Sequence, residues 1–116
     1  MDIERLREYC LGLGDVEEKT PFGKFAAKFD SVLVFYVRGH MFCMTDMEDF
    51  SYVVVKNRPE VIAELLETRN SCRSQRNMSP KYWIELDFGG DIAESQILRL
   101  INESFEIVNK KYSPKK

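Results

Sequence analysis

Residues 69 to 83, RNSCRSQRNMSPKYW, gather four cations, Arg69, Arg73, Arg76 and Lys81, with no acid among them. The stretch ends in Tyr82 and in Trp83, the single tryptophan of the chain. Phosphates attract positive charge and nucleobases stack on flat apolar rings, so cations beside aromatics suit a nucleic-acid surface. Lys56 and Arg58, just ahead of Pro59, join Arg69, Arg73, Arg76 and Lys81 as candidate phosphate contacts, with Tyr82 as candidate stacking ring. The bland alternative is a solvated connection, and Trp83 itself is expected in the core, because large aromatics in strands are usually buried. No helix carries Arg, Asn and Gln together on a polar face, so base-specific readout is not expected.

Other chemistries fare worse. One histidine, His40, removes most acid–base and nucleophile–base pairs, and it follows the turn Arg38-Gly39 where a surface position is expected. There is no GxGxxG or GxxxxGK[ST] phosphate loop. Asp46, Glu48 and Asp49 lack the ligand spacing of a calcium loop and read as a solvated turn. Met41, Met44 and Met47 read as strand packing. Cys10, Cys43 and Cys72 are odd in number and far apart without a CxxC pair, which argues for free thiols and against a zinc site. No catalytic residue, metal or cofactor is expected.

Composition sets the class. With 116 residues, 44% of them hydrophobic and 31% charged, the chain is expected to be one domain, residues 1–116, with a core of its own. No apolar run approaches the roughly 20 residues of a membrane span. The start, MDIERLREYC, lacks the apolar centre of a signal peptide, so a cytoplasmic protein is expected. The net charge of −2 hides an asymmetry: residues 1–68 hold 8 basic and 13 acidic side chains, residues 69–116 hold 9 and 6. One basic face on an otherwise acidic protein is compatible with that balance. Lys110, Lys111, Lys115 and Lys116 read as a solubilising end.

The elements that must position these residues follow from periodicity. Ile3, Leu6, Cys10 and Leu13 mark an amphipathic helix over residues 2–12, capped by Asp2. A polar stretch follows, then Pro21-Phe22-Gly23, a turn whose aromatic is expected to plug the core edge. Residues 24–30, FAAKFD with its flanks, read as a short strand or an irregular lead-in, and strand is preferred. VLVFYV and MFCMT around Arg38-Gly39 form a hairpin, and SYVVVK a third strand. Pro59 opens a helix with Val61, Ile62, Leu65 and Leu66 as its buried stripe. A short strand near residues 71–76 is an option, and residues 82–88 form another. Asp91 and Glu94 resemble a capping box for a last helix with Ile97, Ile101, Phe105, Val108 and Tyr112 on one stripe. The order implies an α+β fold of two layers, an antiparallel sheet with helices on one face.

Several segments together resemble the MmcQ/YjbR family of small bacterial proteins. REYCLGLGDVEE is similar to that family's opening helix and loop, Pro21-Phe22-Gly23 to its aromatic turn, and Gly39-His40-Met41-Phe42 to its hairpin element. VVVKNRPE resembles its Lys-x-x-Pro-Glu junction, and MSPKYWIEL with ESFEIVNKK its aromatic strand and closing helix. The resemblance implies a CyaY-like or secretion-chaperone-like fold, in the order helix, three strands, helix, two strands, helix. It also implies a DNA-binding-like protein with no attached enzymatic activity. Where the family shows Met-Asn-Lys-(Lys/Arg)-His-Trp, this chain has Met78-Ser79-Pro80-Lys81-Tyr82-Trp83.

Two functions follow as expectations. One is a non-enzymatic module that binds DNA through a basic surface. The other is a protein-interaction module, chaperone-like or adaptor-like, that uses the open sheet face. In either case a monomer or weak dimer is expected, with no membrane contact.

Overall fold

The computed structural model describes residues 1–22, 31–75 and 78–114. Helix α1 (Ile3–Leu11) begins at Asp2, whose carboxylate accepts the Arg5 N–H at 2.8 Å. Four strands follow: β1 (Val16–Lys19), β2 (Val32–Val37), β3 (His40–Asp46) and β4 (Tyr52–Lys56). Helix α2 (Pro59–Thr68) then leads to β5 (Cys72–Arg73) and β6 (Trp83–Asp87), and α3 (Glu94–Lys111) closes the order. The strands pair antiparallel in the sequence β1-β2-β3-β4-β6-β5.

The α+β fold with an open antiparallel sheet is therefore as the sequence implies, with one strand more before α2. VEEK reads as a polar loop, yet it alternates across the sheet edge. Val16 and Glu18 point to the helix side, while Glu17 and Lys19 point outward. The inward Glu18 is tolerated because Arg7 of α1 meets it with both Nε and Nη2, the former at 2.9 Å from Oε2. That pairing holds the Glu18 carboxyl below the usual carboxylate range. The preferred strand over residues 24–30 lies outside the described residues.

The β2–β3 turn has positive φ at both central residues, +52° at Arg38 and +77° at Gly39, the geometry a two-residue hairpin needs. Beyond it the register shifts: Phe35 pairs with Cys43 and Tyr36 with Met41, leaving Phe42 as an extra residue in β3. Phe42 and Cys43 are both buried as a result.

One face of the sheet, with Leu33, Phe35, Val37, Val53, Val55, Ile84 and Leu86, packs under all three helices. Trp83 belongs to the other face. It alternates with the buried Ile84 and Leu86 and stays half-buried, so the expected core tryptophan is corrected to an outer-face ring. Leu66 and Tyr112 likewise end their predicted stripes in solvent, at 36% and 38% exposure, and Phe22 does not plug the core. Asp91 does not cap α3, whose N-cap is Ala93, without a side-chain bond. Its carboxylate instead accepts the N–H groups of Asn70 and Ser71 at 2.8 and 2.9 Å, and its own N–H donates to Ser71 Oγ. Gly90 permits this closure, because a Cβ there would lie 1.8 Å from Ser71 Oγ.

Candidate nucleic-acid interface

Three residues at the end of β4, Lys56, Asn57 and Arg58, are held by α3 and by the loop before β6. At the bulge, the Phe42 carbonyl accepts from the buried Ser104 hydroxyl of α3 at 2.5 Å. The same hydroxyl accepts the Lys56 N–H at 2.9 Å, so one side chain ties β3, β4 and α3 together. Asn57 is 2% exposed: its N–H donates to the Tyr82 carbonyl, its amide to Glu103, and its Oδ1 accepts the Arg58 N–H. Pro59 then starts α2 where no N–H is required. These bonds fix the backbone from which Lys56, Arg58 and Tyr82 project.

What they surround is a groove of about 370 Å³, lined by Lys56, Arg58, Pro59, Tyr82, Ile107 and Lys111. Next to it, beyond Asn57 and Arg58, lies a shallower recess bordered by Glu103, Glu106 and Lys110. Three rings at this end each have an ammonium nearby: Lys56 Nζ lies 5.8 Å from the Trp83 centroid, Lys81 Nζ 5.5 Å from Tyr82, and Lys111 Nζ 5.4 Å from Tyr112. Tyr112 also stacks on His40, with centroids 3.4 Å apart and planes within 6°. Arg38 Nε donates to Asn109 Oδ1 at 2.7 Å, so the hairpin steadies the end of α3. Arg58 pairs with Glu60 at 3.7 Å, and both are well exposed, so the pair is weak.

The predicted residues thus divide. Lys56, Arg58 and Tyr82 come together, with Lys81 against the Tyr82 ring. Arg73 and Arg69 sit elsewhere. Arg73 stands on the edge strand, where Nη2 donates at 2.7 Å to both Glu85 and Asp87. Two carboxylates on one guanidinium cancel its field and hold its pKa above the ordinary value. Arg69 follows α2, and its Nε is buried with no hydrogen-bond partner among the described residues. Arg76 lies outside the described residues.

Sequence reasoning missed Lys111, Asn57 and Ser104. Lys111 reads as part of a charged tail, although its spacing of four from Ile107 puts it on the same helical face. Asn57 carries a weak signal as the residue two before a helix-opening proline. Ser104 carries none.

The cysteines are free and buried. Burial, with Asp91 nearby, pushes the Cys72 thiol up to about 11, and burial pushes Cys43 up too. Thiols so placed are poor nucleophiles at neutral pH. Among the described residues no group of three or more His, Cys, Asp or Glu side chains could hold a metal ion. No described helix is long and apolar enough to cross a membrane.

The model of the family described as YjbR matches residues 11–107. A solved Deinococcus radiodurans protein with a DUF419 domain superposes at a TM-score of 0.85 and 26% identity, over 98% of this chain and 83% of that one. A Pseudomonas syringae protein superposes in its crystal structure at 0.74 with 17% identity, over 93% and 99% of the two chains. A solution structure of a protein from that organism gives 0.71 and 16%, over 99% and 98%. These last two are similar in fold alone. No curated protein matches the chain significantly.

Proposed function

This chain belongs to the YjbR family, and on that premise we propose that it is a binding protein and not a catalyst, a small cytoplasmic module that grips DNA phosphates without reading bases. The observation that carries the reading is the groove where Lys56, Arg58 and Lys111 converge beside the exposed Tyr82. A net charge of −2 does not oppose it, because exposed charges beyond about 10 Å are screened at 0.1 M salt and the local cluster dominates. The groove has no fork of side chains matched to a base edge, so the affinity is modest and independent of sequence. Fluorescence anisotropy with a mixed-sequence duplex at about 50 and 200 mM salt tests this. Binding at the lower salt that collapses at the higher is the expected result. Absence of binding at the lower salt by this duplex and by its separated strands alike ends the proposal.

A second reading is a protein-interaction module on the outer sheet face. It is favoured by Tyr36, Met44, Tyr52 and Trp83, which lie half-buried on the side away from the helices. Aromatic and methionine side chains are the common currency of such surfaces. Light scattering checks it: a concentration-dependent dimer that Tyr52→Glu disperses supports this use of the face, and a strict monomer favours the groove.

A further inference from the structure

The shape and chemistry of the groove go further than phosphate binding, and the following rests on the nucleic-acid reading above. We propose that the ligand is an unpaired strand, its phosphates lying among Lys56, Arg58 and Lys111 and one base stacked on Tyr82. A duplex hides its base faces inside and offers only phosphates and groove edges. An exposed ring is therefore of little use to it. Here the ring is deliberately presented. Tyr82 is 40% exposed, while its backbone is pinned at both ends, the N–H donating to Ser79 and the carbonyl accepting from Asn57.

Cation placement argues the same way. A duplex engages a broad row of cations, and Arg73 cannot extend the row, because it is already bound to Glu85 and Asp87. Glu103 and Glu106 border the adjoining recess, beyond Asn57 and Arg58, and repel phosphates there. A backbone leaving the groove is thereby directed past Tyr82 toward Lys81, and away from the middle of α3. The volume of about 370 Å³ is of the size that a nucleotide-sized ligand fills. Cationic grooves with stacking rings on their rims are how single strands are held without sequence preference.

Anisotropy with a labelled oligothymidine about 20 nucleotides long, beside the same strand paired with oligoadenosine, tests the inference. The strand is expected to bind about tenfold more tightly than the duplex, and Tyr82→Ala to remove that preference while Tyr82→Phe keeps it. An oligouridine arm separates RNA from DNA, and either strand bound ahead of its duplex supports the proposal. Thermal melts of both variants establish that they fold. Equal or tighter duplex binding, or a folded Tyr82→Ala that keeps the preference, overturns the single-strand inference and leaves the phosphate reading standing. No binding of either probe overturns both.

Discussion

Two basic regions of this molecule carry the same residue types and have opposite electrostatic fates. At the β4–α2 junction, Lys56, Arg58 and Lys111 face a groove, and Arg58 pairs with an exposed Glu60 at 3.7 Å. On the edge strand β5, Arg73 is clamped between Glu85 and Asp87 at 2.7 Å each. The difference is register. Arg73 pairs directly with Glu85, which puts the two side chains on one face of adjacent strands, with Asp87 two residues along. Lys56 pairs with Trp83, so its cross-strand neighbour is a ring and its charge stays available. A count of cations along a chain is thus no measure of surface potential. What stands opposite each one decides.

The comparison breaks first if its anchor is not an anchor. Ser104→Val strands the Lys56 N–H and the Phe42 carbonyl, and urea titration should show a loss of about 2–6 kcal/mol, from one to three per buried unsatisfied group. A loss below ~1 kcal/mol would mean that the junction is held by other contacts. Trp83→Ala removes a half-buried ring from the outer face and should cost less than the ~3–5 kcal/mol of a core aromatic. A cost in that full range would return Trp83 to the core.

Arg58→Gln should weaken nucleic-acid binding severalfold and lower the salt slope by about 0.7–0.9 for one phosphate contact. Arg73→Gln should leave both unchanged in the same anisotropy assay. Equal losses would erase the distinction between the two regions.

A pH titration probes the quiet end alone. Ser71 Oγ, with the N–H groups of Asn70 and Ser71, holds the Asp91 carboxyl down to about 2. A depressed carboxyl stabilises the fold above its unfolded value near 3.9 and loses that contribution as pH falls toward 2. The stability gap between wild type and Asp91→Asn, measured by thermal melts, should therefore be open above pH ~4 and close toward pH ~2. Arg73→Ala should matter least, leaving the thermal melt nearly unchanged, since Arg73 is solvent-exposed and its ion pairs are screened.

How much of this was legible depends on where the determining contact lies. The helices and the inner strands announce themselves because burial imposes a period on the residues themselves, as with Ile97, Ile101, Phe105 and Val108. β1 was hidden because its inward Glu18 is compensated by Arg7, eleven residues away on another element. The Asp91–Glu94 spacing suggested a cap, but a partner twenty residues distant, Ser71, took the carboxylate instead. Within the candidate site, Lys56, Arg58 and Tyr82 were legible as types. That they meet, and that Lys111 joins them, was not.

The sequence by itself determined the α+β class, the family and the stock of cations and rings, because these depend on residue identity and local spacing. Only the tertiary structure decided which cations remain unneutralised. Electrostatic pairing falls off over a few ångströms, and those ångströms are set by strand register and by a helix returning across the sheet, not by position along the chain.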